Sequence, residues 1–249
     1  MYLEGSVARR GVSSDEPKLV WERPEPPGRP APSPLSRDRI VRAAIELADA
    51  DGLEGVSLRR VAAALDAGPM RLYGYLSTKD ELLDLMVDAV YGEILPPEPT
   101  ADWRAAVRAI AQRTRDAARR HEWFADLLGG RPHLGPRALA YQETVLAALA
   151  AAPGFEHIDT VARAAATLNA YLVGAIRKEV AEVRAERASG MDKRQWQIAA
   201  GPYLMRALAS GAYPTLAAAI QNAGHPDADA VFAAGLEFVL DGIASRLAH

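Results

Sequence analysis

From Ser36 onward, apolar residues recur three and four positions apart and are interrupted by Gly and Pro, a spacing that suits helices. Period-two runs of β-branched residues, which would announce a sheet, are missing. The expected fold class is therefore all-α. The first helix begins after Ser36, places Ile40, Ala43, Ala44, Leu47 and Ala48 on one face, and stops at Gly52. A second, barely two turns long, opens at Ser57 and turns Leu58, Val61, Ala62 and Leu65 inward. Asp66-Ala67-Gly68 supplies a turn, and Pro69 suits the first position of a third helix through Met70, Arg71, Leu72, Tyr73 and Tyr75. A fourth starts near Thr78, where Thr78 and Glu81 have capping-box spacing, and runs to about Leu95. After a Pro-rich break, amphipathic helices are expected at about 103–120, 136–152, 157–187, 195–209, 214–222 and 227–247. The charged stretch from Glu182 to Trp196 reads as a loop or insertion beside the long helix.

Residues 1–34 differ in kind. They are rich in Gly, Pro, Ser and Arg and end in a proline run that cannot helicise, so they read as a disordered arm. Arg9, Arg10, Arg23 and Arg29 are cations that such an arm can lay along a DNA groove, although the acids beside them also suit a solvated tail. The expected division is an arm over 1–34, a first helical domain over 35–80 and a second over 81–249.

Several chemistries are disfavoured. The 249 residues contain no Cys, which removes disulfides, thiolate zinc sites and Cys nucleophiles together. No His-Glu-x-x-His motif, Gly-rich phosphate loop or Ser elbow is present, so neither an enzyme, a metal site nor a cofactor is expected. No apolar stretch approaches the roughly 20 residues of a membrane span, and the N-terminus lacks a signal-peptide core, which points to the cytoplasm. The formal net charge of −3 argues against bulk affinity for nucleic acid. Binding depends, however, on the local strip of cations and donors that faces phosphate.

The helix-turn-helix pattern supplies that strip. The front half of its second helix enters the major groove, which makes Pro69, Met70 and Arg71 base-reading candidates, joined by Arg59 at the start of the preceding helix. Arg suits two hydrogen bonds to guanine O6 and N7. Ser57, Tyr73, Tyr75, Thr78 and Lys79 flank this face with hydroxyls and an ammonium and are expected to meet phosphates.

The stretch from Ser57 to Leu82, with its small-polar start, paired basic residues, Leu72-Tyr73 and Lys79-Asp80-Glu81-Leu82, resembles the DNA-binding domain of TetR-family repressors. Tyr213-Pro214-Thr215-Leu216 and residues 232–243 resemble the C-terminal domain of tetracycline-repressor-type proteins. The resemblance implies a ligand pocket and a dimer interface in that domain. The chain departs from the family pattern at Asp66, where Gly is usual, at Gly68, where a polar cap is usual, and at Tyr75-Leu76, where His-Phe is usual.

The implied function is a sequence-specific regulator, a repressor released from double-stranded operator DNA by a small-molecule effector. A homodimer is expected, because two heads one helical turn apart read a palindrome. Leu168 and Leu172 of the long helix, with Leu236, Phe238 and Ile243 of the last, are the interface candidates. Trp103, Trp123, Phe124, Tyr141 and Tyr171 are candidates to line the effector pocket. The competing reading is a ligand-binding or interaction module whose helix-turn-helix is vestigial.

Overall fold

The computed structural model describes residues 18–27, 34–94, 102–224 and 226–245, and among them every regular element is helical. The Ser36 hydroxyl accepts from the Arg39 N–H and starts α1 (Arg37–Asp51), which buries Ile40, Val41, Ala43, Ala44 and Ala48 and ends at Gly52 with φ +71°. Ser57 caps α2 (Leu58–Ala64) in the same manner. The turn then passes through Asp66 at φ +49°, the left-handed region that Asp tolerates better than most residues, and Pro69 opens α3 (Pro69–Leu72). α4 (Lys79–Ile94) begins with the Glu81 N–H donating to Thr78 Oγ1 at 3.1 Å. The Glu81 carboxylate accepts from the Ser77 N–H at 2.6 Å, one residue earlier than the expected capping box.

The larger domain comprises α5 (Trp103–Arg120), α6 (Phe124–Leu127), α7 (Pro136–Ala150), α8 (Ile158–Ser189), α9 (Lys193–Ala209), α10 (Pro214–Asn222) and α11 (Ala228–Ser245). α4 belongs to both domains: it packs against α1 on one side and against α5, α6 and α7 on the other. Asp88 is the buried polar hinge of that contact, its Oδ1 accepting from the N–H groups of Arg137 and Ala138 at 2.9 Å each and so capping α7. A side chain at Gly135 would collide with it, since a Cβ there would stand 2.2 Å from Asp88 Oδ1. α8 gathers α5, α6, α7 and α11. Arg115 of α5, 1% exposed, ties this seam by meeting Glu179 of α8 at 2.7 Å and Asp229 of α11 at 2.9 Å, with its guanidinium 4.5 Å from the Phe232 ring centroid. No helix among the described residues is long and apolar enough to cross a membrane.

Three expectations change. α8 continues to Ser189, so most of the predicted 182–196 loop is helix. Those two turns are charged because they pair with the α6 corner: Arg184 meets Asp126 at 2.9 Å and Arg187 meets Glu122 at 2.9 Å. Part of the predicted disordered arm is ordered, since residues 20–22 form a 3-10 turn with Val20 buried and Trp21 packed on the core. Arg9, Arg10 and Arg29 lie outside the described residues. Finally, Leu168, Leu172, Leu236 and Ile243, expected at a dimer interface, are 2–8% exposed and fill the protomer's own core. The long aliphatic side chains of α8 and α11 face inward, leaving a different face of each helix outside.

Candidate nucleic-acid interface and effector core

α3 is a single turn presenting nearly everything but Leu72 to solvent. Leu72 is fully buried, whereas Pro69, Met70 and Arg71 are exposed, Met70 by 80%. Arg59 is exposed on α2, and neither the Arg59 nor the Arg71 guanidinium has a hydrogen-bond or ion-pair partner among the described residues. Arg60, its neighbour in sequence, is spent on structure: it pairs with Asp51 and donates to the Gly55 carbonyl at 2.9 Å. Tyr73 is half exposed at the end of α3. Lys79 lies on the surface with its ammonium donating to the Leu53 carbonyl at 3.1 Å, which uses one of three N–H donors. The Ser57 and Thr78 hydroxyls each accept a cap bond and keep their own O–H for another acceptor.

Tyr75 differs from its expected role. It is 7% exposed, and its hydroxyl donates to the Leu35 carbonyl at 2.8 Å, which fastens the end of the recognition segment to the start of α1. The Tyr75 carbonyl in turn accepts from Arg37 Nε at 3.2 Å. Tyr75 is thus a core residue, and of the two tyrosines only Tyr73 is exposed.

The five aromatic candidates for an effector pocket fall in three places. Phe124 and Tyr141 come together around Tyr91 of α4, which sequence reasoning missed: the Tyr91 ring stands edge-on to Phe124 at 5.4 Å and tilted against Tyr141 at 4.9 Å. His133 flanks Tyr91 at 6.1 Å, and the Tyr141 hydroxyl lies 3.3 Å from Thr114 Oγ1. Burial raises both phenols above their ordinary pKa, so each carries its proton at neutral pH and is a donor as well as an acceptor. Trp103 instead meets Phe155 near the start of α5, and Tyr171 sits in the α8–α11 seam with its hydroxyl donating to the Phe232 carbonyl at 2.6 Å. Neither belongs to the cluster. Tyr91 continues the α4 stripe of Leu82, Met86, Val87 and Val90, which was the available signal.

Trp123 adjoins the cluster and leads out of it. Its ring is edge-on to Phe124 at 6.3 Å, and its Nε1 donates to Asp49 of α1 at 2.7 Å. His121 Nδ1 lies 2.8 Å from the same Asp49 Oδ1, with its Nε2 3.4 Å from Glu93 of α4. The α6 corner is fixed on its other side by α8, where Arg177 donates to the carbonyls of Ala125 and Asp126 at 3.0 and 3.1 Å and to that of Leu128. A groove of about 490 Å³ lies along this junction, between Ala125, Asp126, Arg177, Val180, Ala181 and Arg184. An aromatic core is therefore joined to the DNA-facing domain through Phe124, Trp123 and Asp49.

Phe238, the remaining interface candidate, is 77% exposed on the outer face of α11, near Val231. α9 and α10 pack on each other and bury little besides Leu208, leaving Trp196, Ile198, Tyr203, Met205, Tyr213 and Leu216 exposed. Apolar surface of this extent is unusual on a protomer that functions alone.

Two family models match separate parts of the chain. Residues 40–86 match the model of bacterial regulatory proteins of the tetR family, and residues 95–247 match the tetracyclin repressor-like C-terminal domain. The HTH-type transcriptional repressor DrrR1 of Streptomyces coeruleorubidus is 40% identical over 228 residues, 91% of this chain and 83% of its own length. The class A tetracycline repressor from transposon 1721 of Escherichia coli is 30% identical over 85% of this chain and 92% of its own. Among solved structures, ActR of Streptomyces coelicolor in complex with actinorhodin superposes with a TM-score of 0.72 at 27% identity, covering 87% of this chain and all of ActR. The chain belongs to the TetR family of DNA-binding transcriptional regulators.

Proposed function

We propose that the protein is a dimeric repressor that reads operator DNA with the exposed face of α3 and is released by an aromatic effector seated against Tyr91, Tyr141 and Phe124. The observation that carries this reading is the Phe124–Trp123–Asp49 chain, which connects the buried aromatic core to α1 of the reading head. Arg59 and Arg71 read bases, Pro69 and Met70 contact base edges, and Ser57, Tyr73, Thr78 and Lys79 hold phosphates.

An effector that enters the core must part the Tyr91 and Tyr141 rings, and Tyr91 lies on α4. With 16 residues α4 is about 24 Å long. A small rotation at its Tyr91 end therefore moves α1–α3 and changes the separation of two heads in a dimer. The effector must bind the DNA-incompatible arrangement more tightly, and operator DNA must weaken effector binding by the same factor. Actinorhodin, bound in the ActR structure, is the first probe to use. The two protomers join through the outer faces of α8 and α11, where Ala166, Ala170, Val231, Ala234 and Phe238 are exposed, with α9 and α10 laid over the partner.

Operator affinity of the Arg59→Ala and Arg71→Ala variants tests the proposal. Each is expected to weaken binding to a duplex selected from a random pool by about 10-fold or more, from the roughly 1–3 kcal/mol of a bidentate base contact. Unchanged affinity in both variants would remove α3 as the reader.

A further inference from the structure

The match to the tetR-family DNA-binding model begins at residue 40, yet a segment before α1 is folded against this head. Val20 is 2% exposed within the apolar core, and Trp21 packs on that core. Arg23 reaches 54 residues along the chain to donate to Ser77 Oγ at 2.8 Å and is ion-paired with Glu81. Ser77 lies just before α4 and Glu81 in its first turn, and the Glu81 carboxylate accepts from the Ser77 N–H. Pro26 lies over Gly74, where a Cβ would stand 3.2 Å from Pro26 Cγ. A side chain at Gly74 would therefore press on Pro26.

The contacts of Arg23 with Ser77 and of Pro26 with Gly74 fall on residues 73–78, the link between α3 and α4, and Glu81 lies just beyond it. Its other side is held by Tyr75, which donates to the Leu35 carbonyl and accepts from Arg37. A one-turn helix has little rigidity of its own, so the aim of Met70 and Arg71 depends on what holds the link at its end. We infer that residues 18–27 form a brace that fixes α3 for operator reading, with Arg23 as its positioning residue acting through Ser77 and Glu81. The inference rests on the operator reading proposed above. Arg23 is not a phosphate contact in this account, and that distinction can be measured.

The test is a double-mutant cycle in the full-length chain with Arg23→Gln and Ser77→Ala, each titrated with the selected duplex and with a scrambled duplex over a range of salt. Loss of an aimed, charge-assisted contact predicts about 10-fold weaker binding of Arg23→Gln to the selected duplex, little change on the scrambled one, and an unchanged salt slope. Adding Ser77→Ala should cost less than the two single effects combined, because the residues share one contact. Thermal melts of the same samples establish that the fold is intact. Arg23→Gln binding both duplexes like wild type would overturn the inference. So would an equal loss on both duplexes with the slope lowered by about 1, the signature of a phosphate contact. Wild-type preference for the selected over the scrambled duplex, measured in the same titrations, tests the operator reading separately.

Discussion

Arg59 and Arg60 stand side by side in the sequence with different roles, one open to solvent and the other closed onto Asp51 and the Gly55 carbonyl. Sequence reasoning saw two bases at the front of a short helix and could not separate them, because their separation depends on α1 passing within reach of one. The same holds for Tyr73 and Tyr75. α3 ends at Leu72, so helical periodicity no longer dictates which tyrosine points inward, and the Leu35 carbonyl decides it. The two kinds of residue predict different behaviour on substitution. Tyr75→Phe should lower stability by about 1 kcal/mol or somewhat more, the value of a buried hydrogen bond whose acceptor is left unpaired, and leave the salt dependence of DNA binding unchanged. Lys79→Ala should do the reverse, lowering the salt slope by about 1 with a small change in the melting midpoint. Chemical denaturation and salt titration of both variants check this, and a Tyr75→Phe slope that falls like that of Lys79→Ala would return Tyr75 to the phosphates.

At the scale of elements, the head was readable because its helices carry their own boundaries: Ser36, Ser57 and Thr78 at starts, Gly52 at an end and Pro69 at an opening. α6 was not readable. It is one turn of four residues, and its place is set by Asp49, Arg177 and Arg184 from distant parts of the chain. That corner is also where the aromatic core and the head meet, so on the proposed mechanism Asp49→Asn should separate binding from release. The amide oxygen can still accept from Trp123, but the carboxylate beside His121 is lost, and the factor by which an effector weakens operator binding should fall toward 1. Operator titrations of Asp49→Asn with and without saturating actinorhodin measure that factor, and wild-type coupling in the variant would place the route elsewhere. Ion pairs at the same scale set the acid response. Hydrogen bonds from Arg187, Arg119 and Arg108 hold Glu122, Asp229 and Glu237 respectively below the ordinary carboxylate range. The stability they add is present above that range and lost as pH falls through their lowered values. Asp84, raised by burial, works in the opposite sense, favouring the fold when protonated and losing that contribution as pH rises. With three exposed pairs against one group, the melting midpoint should fall between about pH 5 and pH 3, and less so in high salt, which screens such pairs. A midpoint that rises on acidification would mean that burial costs like that of Asp84 dominate.

For the whole molecule, the apolar outer surfaces of α9, α10 and α11 weigh more than the net charge of −3 that opposed a DNA-binding reading. Of the interface candidates Leu168, Leu172, Leu236, Phe238 and Ile243, the four aliphatic ones fill the protomer's own core and Phe238 stays outside, because helical periodicity marks an apolar face without saying whether the protomer or a partner covers it. Phe238→Glu should dissociate the dimer at micromolar concentration while leaving the helical content intact, and weaken operator binding as the two heads become independent. Sedimentation of the variant beside wild type reads this, and an unaltered dimer would move the interface off α11. The most direct test of the central claim is to offer the full-length protein a random duplex pool and sequence what it retains. The account predicts a two-fold symmetric site with half-site centres about 34–36 Å apart, bound at least about 10³-fold more tightly than scrambled DNA. Retention of no common sequence, with equal affinity for any duplex, would contradict it and leave a ligand-binding module with a vestigial helix-turn-helix.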